Sequence, residues 1–236
     1  MLVLVLDTST PAVMAALVRV ASGAAPAAGP VVLAERSTVD ARAHGELLAP
    51  AIEQVLASAG ARAADLTAVV AGLGPGPFTG LRVGLVTAAS IGQGLGIPTY
   101  GVCSLDAIGA ATSGRVLVAT DARRKEIYWA VYHDGVRHGE LGVDRPAEVA
   151  ARMTGSLRVD AAVGDGAQRY ADELGLPVLD APWYPPALTL AGLAAERIRR
   201  GASGGALTPL YLRRPDAVEP GPSKPVDHRP TTAMSP

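Results

Sequence analysis

Two stretches of this chain hold the residue types from which phosphate chemistry is usually built. Asp7-Thr8-Ser9-Thr10 supplies a carboxylate, three hydroxyls and their backbone amides at the end of an apolar run. In one reading the hydroxyls and amides surround a phosphate while Asp7 orients a hydrated magnesium ion. In the other, these side chains satisfy their own backbone in a polar turn, as Asp, Ser and Thr readily do. The second stretch is Gly72-Leu73-Gly74-Pro75-Gly76-Pro77-Phe78-Thr79-Gly80-Leu81-Arg82-Val83-Gly84. Glycine permits positive φ and close approach, proline fixes φ and removes a donor, and Thr79 can cap a following helix. Such a turn can cradle either an anion or a neighbouring length of backbone. It is not a Walker loop, because Gly80 is followed by Leu81 and no lysine is near, and two prolines break the spacing of a dinucleotide fingerprint.

The remaining reactive side chains give weaker signals. His44, His133, His138 and His228 contain no i, i+4 pair to hold zinc. Cys103 ends an apolar strand and reads as an inert buried thiol rather than a nucleophile. Arg123, Arg124 and Lys125 form a basic cluster that reads as a solvated strand edge.

The elements that must position these residues follow from apolar periodicity. Strands are expected at Leu2 to Leu6, Val13 to Val20 and Val31 to Ser37, the last two joined by a hairpin loop over Ala21 to Pro30. A helix follows over Glu46 to Ala59, with Pro50 kinking it or marking its first turn, then a strand at Leu66 to Ala71, the glycine turn, a helix over Leu81 to Leu95 and a strand at Thr99 to Val102. The second half repeats the order, with strands at Val116 to Thr120, Glu126 to Tyr132 and Arg137 to Val143, a helix from Pro146, a strand near Ala161 to Gly164 and a helix from Ala167. Asp134-Gly135 is a two-residue hairpin turn. Asp7 and Asp121 stand at equivalent places, each at the end of the first strand of its half. Two copies of βββαβα imply a duplicated α/β fold. An amphipathic helix from Thr189 to Arg200 ends the globular pattern, Leu210-Tyr211-Leu212 is a last apolar anchor, and six prolines among residues 215–236 imply a disordered tail.

Composition narrows the function. Of 236 residues, 49% are apolar and 18% charged, with a formal charge of −1, so no basic field exists to hold nucleic acid unaided. The single cysteine excludes an internal disulfide, and the chain opens directly on a strand without a basic leader, which reads as cytoplasmic. The longest apolar stretch, Leu81 to Tyr100, contains Arg82, Gln93, four glycines and Pro98 and is a poor membrane span. It does carry Gly84, Ala88, Gly92 and Gly96 at intervals of four, a stripe of minimal side chains. That stripe either meets another protein's helix or packs on the chain's own sheet, a task that Leu85, Val86, Ala89 and Leu95 could equally perform from another face.

Taken together, Asp7-Thr8-Ser9-Thr10, His44-Gly45-Glu46-Leu47-Leu48-Ala49-Pro50, the glycine turn, Asp121-Ala122-Arg123-Arg124-Lys125-Glu126-Ile127-Tyr128 and Leu210-Tyr211-Leu212-Arg213-Arg214-Pro215 resemble the TsaB (YeaZ) family of bacterial tRNA threonylcarbamoyladenosine biosynthesis proteins. The resemblance covers roughly residues 1 to 215; where the family usually has serine, this chain has Pro77, which stiffens the turn. It implies an actin-like ATPase (ASKHA) α/β fold of two related βββαβα subdomains, 1–105 and 106–214, with the last helix returning to the first, and a flexible tail over 215–236. It also implies a non-catalytic scaffold that pairs with TsaD and acts with the ATPase TsaE, reaches tRNA only through that complex, forms a homodimer when TsaD is absent, and has no membrane role. TsaD carries a metal-binding His-x-x-x-His pair after its own glycine turn; aligning the turns places Ser104 and Ile108 there, so no metal is expected. No resident cofactor is expected either: Asp7, Thr8, Ser9, Gly74 and Gly76 are read as residual phosphate-facing turns, and Asp165, in the second glycine turn Val163-Gly164-Asp165-Gly166-Ala167, brings negative charge toward any polyphosphate. The partner surface is placed on the two first-half helices, at His44, Leu48, Ile52, Arg82, Gly84, Leu85, Ala88 and Gly92. A small-molecule kinase or ATPase of the same superfamily, and a metallopeptidase, are the alternatives.

Overall fold

A computed structural model describes residues 1–22 and 29–213. The tail expected from Pro215 and most of the loop expected at Ala21 to Pro30 lie outside them.

Strand β1 (Leu2–Asp7) is apolar at five successive positions because it sits at the centre of a sheet covered on both faces. It pairs antiparallel with β2 (Ala12–Arg19), which pairs antiparallel with β3 (Val31–Val39); on its other side run parallel β4 (Ala68–Gly72) and β5 (Thr99–Val102). The order is β3-β2-β1-β4-β5. Strand period two sends Leu4 and Leu6 to one face, where they meet α1 (His44–Ser58) and α2 (Phe78–Leu95) through Leu48, Ile52, Leu81 and Leu85. Val3 and Val5 go to the other face, where Leu190, Ala191 and Ala194 of the last helix, α7 (Ala187–Arg199), close over them. Each fully buried Leu or Ile here contributes about 1.5–3 kcal/mol.

The second sheet repeats the scheme one strand short. Strands β6 (Arg115–Asp121), β7 (Ile127–His133) and β8 (Val136–Asp144) are antiparallel, and β9 (Ala161–Val163) lies parallel to β6. The helix α3 (Ser104–Gly109) covers one face with Leu105 and Ile108, while α4 (Pro146–Arg152), α5 (Asp165–Arg169) and α6 (Ala171–Leu174) cover the other through Val149, Ala167 and Leu174. The duplicated βββαβα order is therefore present as expected, and this is the actin-like α/β arrangement.

Departures from expectation have local causes. Helix α2 begins at Phe78, three positions before Leu81, because Pro77 at φ −58°, ψ 133° is the residue that leaves the turn; Thr79 is inside the helix and caps nothing. Pro50 lies within α1 on its exposed side. Helix α3 was not expected; its six residues are too few to display a period. The helix expected from Ala167 begins at Asp165 and breaks at Tyr170. Asp134 and Gly135 take φ of 47° and 81°, as the expected hairpin turn requires.

Candidate functional site

In the first half, the polar turn at 7–10 and the glycine turn at 72–84 are folded onto each other. A Cβ at Gly76 would overlap the Ser9 carbonyl, and one at Gly84 would overlap the Thr8 hydroxyl. The Thr8 hydroxyl donates to the Gly80 carbonyl at 2.7 Å and accepts from the Gly84 N–H at 2.9 Å, so it joins the turn to the first part of α2. His44, at the start of α1, donates from Nε2 to the Thr10 carbonyl at 2.9 Å and braces the same turn. Of the two roles open to the glycines, the structure displays the second: they admit a neighbouring backbone.

Asp7 is the hub of this closure. Its Oδ1 accepts from the Ser9 N–H at 2.9 Å and the Ser9 hydroxyl at 2.8 Å, and its Oδ2 accepts from the Ser104 hydroxyl at 2.6 Å. Ser104 also accepts from the Gly74 N–H at 3.1 Å, and its own N–H donates to the Gly74 carbonyl. Burial raises the Asp7 carboxyl above the ordinary carboxylate range, and the hydrogen bonds from Ser104 and Ser9 oppose that shift. With 2% of its surface exposed, Asp7 does not line the cleft between the halves; its remaining edge faces a pocket of about 220 Å³ bordered by Glu35, Ser37 and Tyr184.

The equivalent turn of the second half is open. Between Asp121 and Glu126, Arg123, Arg124 and Lys125 take φ of 59°, 55° and 62°, three successive non-glycine residues in the left-handed region, at a cost of roughly 1–2 kcal/mol each. Arg213 fastens the ends of this loop: it donates to the Ala122 carbonyl at 3.1 Å and pairs with Glu126. A cleft of about 900 Å³ separates the halves, with Thr8, His44 and Thr79 on one wall and Asp121, Arg123 and Lys125 on the other. The second glycine turn does not open into it: a Cβ on Gly164 would overlap the Ala119 carbonyl, and Asp165 accepts from the Asp121 N–H at 3.3 Å. Burial foremost, with the charge of Asp121 adding to it, raises the Asp165 carboxyl to about 6, while backbone N–H groups oppose the shift.

The residues expected to form a partner surface are, with one exception, inside the molecule. His44, Leu48, Ile52, Gly84, Leu85, Ala88 and Gly92 are all buried; Ala88 has no exposed surface, and a Cβ on Gly92 would overlap the Thr99 methyl. The small-residue stripe lets α2 lie close to its own sheet. The outward face of α2 is instead Val86, Ala89 and Gln93, with Val86 63% exposed. Arg82 does reach the surface, where its guanidinium lies 3.5 Å from the centroid of the Phe78 ring and donates to the Tyr211 hydroxyl at 2.8 Å.

Metal chemistry of the TsaD kind does not fit the donors present. Ser104 is committed to Asp7 and Gly74, and Ile108 is a fully buried apolar side chain. Among the described residues, no group of three or more His, Cys, Asp or Glu side chains is placed to hold a metal ion. The Cys103 thiol is buried and pushed up to about 12, mainly by desolvation, so it is no nucleophile at neutral pH. His133 and His138 stack with ring centroids 4.6 Å apart.

Sequence reasoning missed Ser104 as the partner of Asp7, Arg213 as the fastening of the basic loop, and the Phe78–Arg82–Tyr211 group. The hydrogen bonds of Ser104 and Tyr211 span 97 and 129 positions, and no local pattern reports such a separation.

A duplicated actin-like α/β fold whose first-half polar turn is closed by its own glycine turn is the class of protein that fold and site define. Comparison with known proteins agrees. Residues 32–200 match the family model described as TsaD, tRNA N6-adenosine threonylcarbamoyltransferase. The chain is 48% identical over 215 residues to an uncharacterized protein of Mycobacterium tuberculosis, covering 91% of this chain and 93% of that protein. It is 32% identical to the tRNA threonylcarbamoyladenosine biosynthesis protein TsaB of Escherichia coli, covering 78% of this chain and 86% of that one. The solved structure of YeaZ from Pseudomonas aeruginosa superposes with a TM-score of 0.71 at 28% identity, covering 89% of this chain and 99% of that one. The chain belongs to the TsaB (YeaZ) family. Among the described residues, no helix is long and apolar enough to cross a membrane.

Proposed function

We propose that this chain serves tRNA threonylcarbamoyladenosine biosynthesis as a non-catalytic subunit that pairs with TsaD and acts beside TsaE. The observation that carries this reading is the closure of Asp7 by Ser9 and Ser104, which commits to the fold the carboxylate that an active relative would turn toward magnesium and phosphate. The same closure supports the absence of a resident nucleotide. The partner surface moves from the buried stripe to the outer faces of the same two helices, the exposed Ala49 and Glu53 of α1 with Val86, Ala89 and Gln93 of α2. A second copy of the chain covers this face when TsaD is absent. An exposed branched apolar residue such as Val86, among small neighbours, suits a helix-to-helix contact.

Size-exclusion chromatography with light scattering, on the chain alone and mixed with TsaD from the same organism, tests this reading. A stable one-to-one complex that does not require Mg-ATP and is weakened at least tenfold by Val86→Glu is expected. No complex, together with Mg-ATP binding by the isolated chain in calorimetry, overturns it in favour of an independent kinase or ATPase.

A further inference from the structure

The basic loop and the aromatic group on α2 border one continuous groove that the proposed partnership does not use. A pocket of about 390 Å³ lies between Phe78 and Tyr211 on one side and Arg123, Arg124 and Arg213 on the other, with Tyr128 at its floor. It is continuous with the cleft between the halves, because Pro77, Phe78, Arg123 and Arg124 border both. Phe78 and Tyr211 stack at 5.4 Å between centroids, 23° from parallel, with the Arg82 guanidinium 3.5 Å from the Phe78 centroid; at 47% and 41% exposed, the pair forms an aromatic shelf with an open edge.

Among the described residues, several cations are neutralised in ion pairs, and two beside the groove are not. Arg115, Arg152, Arg169 and Arg200 are each paired with a carboxylate. Arg123 and Lys125 are exposed and, among the described residues, have no carboxylate within ion-pair distance. Holding three successive cationic residues at positive φ costs free energy, and Arg213 fastens them there by fixing both ends of the loop. Arg123 and Lys125, held beside a partly exposed aromatic shelf, form an arrangement that takes a nucleotide strand: phosphates meet the two cations, and a splayed base stacks on the ring.

We propose that this groove binds a single-stranded segment of RNA, with phosphates on Arg123 and Lys125 and a base against the Phe78–Tyr211 shelf. The choice of RNA over another polyanion rests on the tRNA-modification reading above. The formal charge of −1 on the whole chain makes this a weak local contact, one that orients a strand already held by a partner.

The test is fluorescence anisotropy with a labelled anticodon stem-loop RNA across a salt series, on the chain alone and in its complex with TsaD. Arg123→Asn with Lys125→Asn removes both charges while keeping a residue type that accepts positive φ, so the loop retains its shape. Binding should weaken tenfold or more, and the salt slope should fall by about 1.4, roughly 0.7 for each phosphate no longer neutralised. Phe78→Ala should weaken binding about tenfold with little change of slope. Arg19→Asn with Arg158→Asn, exposed cations at the opposite ends of the two sheets, should change neither. Binding that is absent in the wild type, or indifferent to the loop variant, overturns the proposal. So does displacement of the RNA by equimolar Mg-ATP, which would make the groove a free-nucleotide site, or loss of the TsaD complex in the loop variant, which would make it a protein interface. A wild type that forms the TsaD complex but binds no RNA sinks this inference alone; RNA binding that depends on the loop, without any complex, sinks the scaffold reading alone.

Discussion

The turn after β1 and the loop after β6 occupy the same place in two copies of one plan, and the chain has used them in opposite ways. Asp7, Thr8, Ser9 and Thr10 are each at most 3% exposed; the first three are bonded to the glycine turn, Ser104 or one another, and Thr10 to Ala12 and His44. Arg123, Arg124 and Lys125 are exposed and in the left-handed region, and Arg213 fastens the ends of their loop. The first has a neighbour stripped of side chains by glycine, so close approach was possible. The second faces the cleft, and the glycines of its own half's glycine turn, Gly164 and Gly166, meet the backbone of β6 at Ala119 and Thr120 instead of the loop. Duplication thus left two topologically equivalent turns, one converted to a structural joint and one left facing solvent.

The comparison can be broken most forcefully at Gly76. Gly76→Ala drives a methyl into the Ser9 carbonyl, a backbone atom with nowhere to go, and should lower unfolding free energy by about 3 kcal/mol in urea titration. Gly94→Ala, in the same helix-and-turn unit but with nothing within 4 Å, should instead raise it by up to about 1 kcal/mol. If both glycines tolerate alanine equally, the joint is not what the first turn is for. Next in size is Ser104→Ala, which leaves Asp7 Oδ2 and the Gly74 N–H without their partner and should cost about 2 kcal/mol by the same titration.

Asp165 sharpens the contrast through pH. Its carboxyl is raised by burial from 3.8 to about 6, so the folded chain holds this proton more tightly than the unfolded one. Its contribution to stability is fully present below 3.8 and is lost as pH rises through about 6. Asp165→Asn keeps an acceptor for the Asp121 N–H and cannot titrate. The stability of the wild type relative to this variant should therefore fall across that window and level off above it, as followed by thermal melts in a buffer series. A flat difference would show that Asp165 is solvated as freely as any surface carboxylate. The smallest effect is expected at Arg123→Gly: relief of the left-handed penalty outweighs the added chain entropy, and stability should rise by about 0.5 kcal/mol. The equivalent change in the first half, Thr8→Gly, removes two buried hydrogen bonds and should have the opposite sign.

Much of this architecture was legible in the sequence because strand and helix periods report burial directly. Val3 and Val5 alternate with Leu4 and Leu6 because both sheet faces are covered, and the repeated order of elements revealed the duplication. The location of the glycine turn was equally clear. Its occupant was not, because an anion and a backbone make the same demand for missing side chains, and the backbone concerned lies about 70 positions away. The stripe Gly84, Ala88 and Gly92 failed as a guide for a related reason: spacing fixes which residues share a helix face, but not whether that face turns inward. Here the minimal side chains went inward, and Val86, one of the residues that could have packed on the sheet, went outward. The Phe78–Tyr211 shelf was invisible because it joins the start of α2 to a segment far along the chain.

The return of α7 to the first sheet has a consequence for how the protein is made. Val3, Val5, Ala16, Val18 and Val70 are covered by Leu190, Ala191 and Ala194, which leave the ribosome more than a hundred residues later. The first half therefore emerges with one apolar sheet face bare, and that face waits for the whole second half to be made before it is covered. A nascent chain stalled before Ala187 should attract chaperones that bind exposed apolar surface, and release them once α7 clears the exit tunnel.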